Sequence, residues 1–301
     1  MPPHYNPIIM EKFYYTIAGL TLQSDIDLVA IGLRGFKPFV TEACDANCAL
    51  HIDNELNIAN LSEYSQISSS YIAEADADSK LYKSATGYIY AVWCKGTPQP
   101  ILFEIDTQTN DITTNVVITD TISLSLLRFG IWIMFGIVSI PLGCIAIHSS
   151  AIICRNRAIL FLGESGTGKS THTRLWRENI EGARLLNDDS PILRIVGDEV
   201  LVYGSPWSGK TPCYKNEVYP IAGFCRLSQA PHNAIRRLPT IAALGALLPS
   251  CPPQFADDDE LKEAIYTSLG KILKSCATYH LECLPNSDAA QLSHDTILGN
   301  E

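Results

Sequence analysis

Residues 163–171 read Gly163-Glu164-Ser165-Gly166-Thr167-Gly168-Lys169-Ser170-Thr171 and follow five apolar residues, Ala158 to Leu162. The order is a buried strand, a glycine loop and a helix start, which is what a phosphate cradle needs. Glycines let the backbone curl so that successive N–H groups face one anion. A helix opening near Lys169 adds its positive dipole end. Lys169 can reach outer phosphates, and the Ser170 hydroxyl can hold Mg²⁺. The competing reading, a glycine-rich turn with a chance lysine, leaves the flanking strand and helix without a reason.

A kinase also needs carboxylate to anchor Mg²⁺ and a base for the attacking hydroxyl. Asp188-Asp189 supplies two carboxylates at the end of the short apolar run Ala183–Leu186. Ligands gather at the carboxyl ends of strands in α/β sheets, so this pair is expected on one rim with Gly163. The bland alternative is a solvated acidic turn. A polar loop follows, G-S-P-W-S-G-K-T-P from Gly204 to Pro212. Ser205, Ser208, Lys210 and Thr211 offer donors and a cation that could close over a triphosphate or hold an anionic acceptor. Trp207 either stacks on a base or packs, and packing is the commoner fate. On residues alone His148 reads as a core histidine, and Arg226, Arg236 and Arg237 as surface charges that could also meet phosphate.

These residues need a scaffold. Residues 1–120 read as a β-rich unit. Short apolar or alternating runs at Phe13–Ile17, Cys48–Ile52, Ile67–Ala73, Gly87–Trp93, Ile101–Ile105 and Ile112–Ile118 are separated by turn residues. Nothing catalytic stands out there, so the unit is either structural or dimerising, which allows a homo-oligomer, or it recognises substrate. Residues 121–301 read as the nucleotide-binding unit. A buried helix is expected over about Ser123–Ile137, then a strand over Cys144–Ile153 carrying His148. A helix over Lys169–Asn179 should pack through Leu175 and Trp176, with His172 on its polar side. Ile192–Val196 and Val200–Tyr203 flank Gly197-Asp198 as a hairpin. Further on come a strand at Ala222–Leu227, helices at Pro239–Leu248 and Glu260–Cys276, a strand at Tyr279–Leu284 and a helix at Ser287–Leu298. The fold class is therefore mixed α/β (α+β).

Composition narrows the function classes. The chain has 301 residues, 47% of them hydrophobic, and a formal net charge of -10. It carries no basic footprint for nucleic acid. Its start, M-P-P-H-Y-N, lacks a secretory pattern. Phe129–Ile147 contains no charge and approaches bilayer length, but Ser139, Pro141 and Gly143 interrupt it, so a buried helix is expected and not a membrane span. Ten cysteines without paired C-x-x-C spacing point to reduced thiols and a cytoplasmic setting.

I-H-S-S-A-I-I (147–153), G-E-S-G-T-G-K-S (163–170) and L-N-D-D (186–189) together resemble HPr kinase/phosphorylase and its relatives, a family similar to phosphoenolpyruvate carboxykinase in its nucleotide site. The likeness is good over about Gly143–Arg194 and looser over the whole chain. It implies a C-terminal P-loop kinase domain that uses ATP and Mg²⁺. It implies catalytic roles for His148, Lys169, Asp188 and Asp189, with Ser170 and Asp188 at the metal and Asp189 as base. Ser205, Trp207 and Lys210 fall in a loop where substrate would be held. Two departures matter. Thr171 stands where HPr kinases usually have an acidic residue, and their signature segment for docking HPr is missing. Kinase chemistry therefore carries over better than HPr as substrate. The leading expectation is ATP-dependent transfer of the γ-phosphate to a hydroxyl, such as a serine on a peptide or protein. The alternatives are a carboxykinase-like phosphotransferase acting on a small metabolite and a non-catalytic nucleotide-binding module. Neither a guanine-reading N-K-x-D nor an L-S-G-G-Q segment occurs.

Overall fold

The computed structural model describes residues 11–209 and 211–299. The start M-P-P-H-Y-N, read for a targeting signal, lies outside them, as does Lys210. Among the described residues the chain is mixed α/β, with two nine-stranded sheets and five α-helices.

The first sheet is built from β1 (Phe13–Ile17), β2 (Leu20–Ser24), β3 (Val40–Thr41), β4 (Cys48–Ile52), β5 (Ser65–Ile72), β6 (Ala77–Lys83), β7 (Gly87–Cys94), β8 (Ile101–Asp106) and β9 (Asp111–Thr114), in the order β3-β1-β2-β4-β9-β8-β7-β6-β5. The strands β2, β3 and β6 are additional to the sequence expectation. β6 reads A-D-S-K-L-Y-K, too polar to announce itself, and is held by full-length pairing with β5 and β7. The run expected to reach Ile118 ends at Thr114. There the Asn115 side chain takes over, accepting from the Leu102 N–H at 2.8 Å and donating to Leu56 O at 3.1 Å.

Helix α1 (Thr121–Ser139) joins the sheets. Asp120 caps it, accepting from the Ser123 N–H at 2.8 Å. Gly130 sits so tightly on the Phe103 ring of β8 that a Cβ there would run into it. Five residues on, Phe135 packs against Trp207 with ring centroids 5.8 Å apart. One continuous core runs from Tyr15 and Phe36 through α1 to Leu160 and Phe224. With its short 3-10 extension to Leu142, α1 is long and apolar enough to cross a membrane, and 56% of its most apolar 18 residues are buried inside the fold.

The second sheet holds β10 (Cys144–Ala146), β11 (Ser149–Cys154), β12 (Arg157–Leu162), β13 (Arg184–Asp189), β14 (Ile192–Val196), β15 (Glu199–Tyr203), β16 (Val218–Gln229), β17 (Ala234–Arg237) and β18 (Thr278–Cys283). Its main path is β10-β14-β15-β16-β12-β11-β13, with β18 and β17 beyond β16. Helix α2 (Lys169–Asn179) and α5 (Ser287–Leu298) cover one face around Phe161, Trp176, Cys225 and Leu281. Helices α3 (Thr240–Leu247) and α4 (Asp259–Ser275) complete the chain.

Two expectations are corrected. The single strand expected over Cys144–Ile153 is two strands, because β10 pairs with β14 while β11 pairs with β12 and β13. His148 lies in the break between them, its N–H donating to Ser250 O at 2.8 Å. His172 is not on a polar face. Because α5 packs on α2, its imidazole is buried, with Nε2 3.1 Å from Ser293 Oγ and accepting from Trp176 Nε1 at 3.2 Å. That burial pushes its pKa down to about 4.

Candidate active site

Strands β12 and β13 each run antiparallel to β11, so they run parallel to each other and end at the same edge. The register is close: Leu162 and Asp189 both pair with Ser149, and Phe161 and Asp188 both pair with Ser150. The glycine loop leaves β12 one residue later. Gly163, Gly166 and Gly168 have φ of +150°, +86° and +103°, a region that favours glycine. A Cβ on Gly163 would come within 2.5 Å of Thr167 Oγ1. A Cβ on Gly166 or Gly168 would meet no other atom, so it is the backbone angle that calls for glycine there. Thr167 closes the loop on Glu164 O through its N–H at 3.2 Å and its hydroxyl at 2.8 Å. Ser165 lies exposed at the tip, and Thr171 is half-buried in the first turn of α2. Lys169 Nζ donates to Gly163 O at 2.6 Å and to Glu164 O at 3.3 Å. Burial lowers its pKa, opposed by the charges of Asp189 and Asp188.

Successive residues of a strand point to opposite faces, and this separates the two aspartates. Asp188 shares the row of Phe161, which packs on Trp176 of α2. Its buried carboxylate accepts from Ser150 Oγ through Oδ1, and Ser170 Oγ lies 3.4 Å from Oδ2. Asp189 shares the row of Leu162 and faces the other way, with Oδ1 3.7 Å from His148 Nε2. Its φ of +137° is unusual for a side-chain-bearing residue. The following loop holds it there: the Gly209 N–H donates to Asp188 O at 2.6 Å, and Ser208 makes a β-bridge to Asp189.

The electrostatics suit proton chemistry. Partial desolvation raises the Asp189 carboxyl above its ordinary value although half of the side chain is exposed, and the Asp188 charge adds to this against His148, Lys169 and Arg128. Partial desolvation lowers His148, itself half exposed, with the Lys169 charge adding and the two aspartates opposing. A raised carboxylate beside a neutral imidazole is an arrangement for taking a proton.

The loop from Gly204 departs from the expectation. Ser205 is fully buried, its hydroxyl donating to Ser190 O at 2.6 Å, so it braces the loop and does not face a substrate. Trp207 packs between Phe36 and Phe135, with its Nε1 donating to Arg128 O at 3.1 Å. Asn187, fully buried, ties the loop to β13 by donating to Trp207 O at 3.0 Å and accepting from the Ser190 N–H at 2.9 Å. From Ser205 to Trp207 the loop is a fixed wall. Lys210 is the one member of the expected substrate loop outside the described residues. Arg226 pairs with Leu162 at the same rim, 3.9 Å from Glu164, whereas Arg236 lies against His280 and Arg237 is exposed.

Two cavities adjoin this rim, one on each face. On the α2 face a cleft of about 580 Å³ runs from Gly166, Thr167 and Gly168 between Leu175, Leu227 and Leu284. On the other, a cavity of about 240 Å³ is walled by Phe129, Trp132, Trp207 and Pro252 and reaches His148 and Asp189. Sequence reasoning missed Asn187, Ser150 and Arg128. Ser150 stood beside His148 in the same short motif, and Arg128 was the charge bounding an uncharged stretch.

No known family matches the chain in sequence, and no curated protein does. Among solved structures, the HPr(Ser) kinase/phosphatase from Coxiella burnetii aligns with 52% of this chain and 94% of its own, at a TM-score of 0.29 and 11% identity. A likeness that loose adds no weight to what the residues of the rim indicate.

Proposed function

We propose that the protein is a P-loop kinase that transfers the γ-phosphoryl group of ATP to a hydroxyl acceptor. The observation that carries this reading is the division of the adjacent aspartates. One is turned to the helix start behind the glycine loop, and the other to His148 and a separate cavity. In this reading the loop N–H groups and Lys169 cradle the triphosphate, and the cleft beside Leu175 and Leu227 takes the base. Ser170 Oγ and the Asp188 carboxylate are hard oxygen donors 3.4 Å apart, and Mg²⁺ bound through one or two protein oxygens and phosphate needs no larger cluster. When bound, Mg²⁺ would neutralise charge on the phosphates.

Asp189 accepts the acceptor's proton as its hydroxyl oxygen bonds to the γ-phosphorus. The bond from that phosphorus to the β–γ bridging oxygen breaks, and ADP leaves. His148 and the braced loop hold Asp189 in place. Residues 121–301 carry the transfer, and residues 1–120 support it, Phe36 propping Trp207. A cytoplasmic setting with no membrane or nucleic-acid partner belongs to the same proposal.

The test is a pair of variants. Asp188→Asn should weaken Mg²⁺ dependence and ATP affinity together. Asp189→Asn should bind ATP nearly as the parent does and transfer phosphate roughly a hundredfold to ten-thousandfold more slowly, nearer the lower figure for a loose transition state. Labelled ATP with a lysate or peptide pool as acceptor gives the readout. Parent-like binding and turnover in both variants, or no transfer by the parent, would sink the kinase reading.

A further inference from the structure

The cavity on the α1 face contains a feature that phosphoryl transfer alone does not use. Arg128 of α1 lines it, half-buried, and its guanidinium has neither a hydrogen bond nor an ion pair with any described residue. Its charge is close enough to reach the Asp189 carboxyl without pairing with it. Beside His148, Asp189 and Ser190, part of the wall around it is apolar. Phe129 and Trp132 stack with centroids 5.6 Å apart and planes 17° from parallel. Trp132 Nε1 is already committed to Ser190 Oγ at 2.9 Å, so its ring offers the cavity only an apolar surface. A half-buried guanidinium with no hydrogen-bonded protein partner is free to grip an anion that enters the cavity.

Resting on the kinase reading above, we infer that this cavity is the acceptor site and takes a small aromatic or similarly apolar alcohol carrying one carboxylate. The hydroxyl meets Asp189, the apolar body lies against Phe129 and Trp132, and the carboxylate is gripped by Arg128. Size favours a metabolite over a protein surface, since about 240 Å³ is below the usual range for even a drug-sized site, roughly 300–1,000 Å³. The guanidinium fork matches a planar carboxylate. A dianionic phosphate would be repelled more strongly than a carboxylate by Asp189, which lines the same cavity. The step is the one already written: the acceptor oxygen–phosphorus bond forms, the β–γ bridge breaks, and the proton passes to Asp189.

The probe is 3-(hydroxymethyl)benzoate, set against its methyl ester and benzyl alcohol, each titrated calorimetrically into the full chain. The acid should bind about tenfold to a hundredfold tighter than the two neutral compounds. Arg128→Gln should abolish that preference and Arg128→Lys should restore part of it, since lysine keeps the charge but not the fork. Trp132→Leu should weaken all three compounds alike, which keeps the cavity under test if the Arg128 variants do not fold. Four outcomes overturn the inference: equal binding of acid and ester, unchanged affinity in folded Arg128→Gln, no binding of the acid at millimolar concentration, or transfer from labelled ATP into lysate proteins alone. A fifth is a fall in turnover at saturating acid with its affinity unchanged, which would place Arg128 on the transferred phosphoryl group. The titrations involve no transfer, so they can fail while the Asp189 experiment succeeds, and the reverse.

Discussion

At the scale of single residues, Lys169 and Asp189 are the least ordinary. Lys169 bends its ammonium back onto the carbonyls of Gly163 and Glu164, inside the curl that the three glycines make possible. A triphosphate seated there would compete for the same charge. Lys169→Ala should therefore weaken Mg·ATP binding by about tenfold to a hundredfold, the size of a charge-assisted contact. It removes no core volume, so the variant should melt close to the parent. Calorimetric titration and a thermal melt check both halves, and parent-like affinity would remove the loop from the site. Asp189 is held at a positive φ by backbone contacts from Ser208 and Gly209. Such strain persists only where the surroundings impose it.

At the scale of elements, the start of α4 ties the two sheets together. Asp258 is buried and caps the helix by accepting from the Leu261 N–H at 2.9 Å. It also accepts from Lys83 of β6 at 3.0 Å and from Tyr88 of β7 at 3.1 Å. Burial alone would raise its carboxyl, but the Leu261 N–H and the Lys83 ammonium outweigh it and hold the value below the ordinary one. Since the folded value lies below the unfolded one, the unfolded chain takes up the proton first on acidification. The contribution is complete above about pH 4 and is lost as pH falls through the folded value. Asp258→Ala should cost about 1–3 kcal/mol at neutral pH. Denaturant melts at pH 7 and pH 3 check this: the gap between parent and variant should narrow at the lower pH. A gap of equal size at both would mean that the carboxylate's charge contributes nothing.

At the scale of the molecule, α1 is the shared wall. It meets the first sheet through Gly130 on Phe103, the loop of the site through Phe135 on Trp207, and the segment before α4 through Gly136 on Phe255. The apolarity of 129–147 is accounted for by these contacts on several sides. The chain should therefore stay in the supernatant without detergent and sediment as a compact particle. Retention in washed membranes through high-salt extraction would show that the helix serves a bilayer instead.

What the sequence determined by itself was local. The bounds of α2, the hairpin of β14 and β15, the end of β13 and the curl of the glycine loop follow from side-chain period and from where glycine stands, which short-range sterics decide. What surrounds each residue was not local. His148 left its strand because two halves of a sheet take different partners. His172 was buried by a helix more than a hundred positions away, and Ser205 became a brace because Asn187 draws its loop onto β13. The sequence placed two carboxylates at a strand end. Their division between α2 and the cavity beside Arg128 depends on which neighbour covers each face of the sheet, and only tertiary packing decides that.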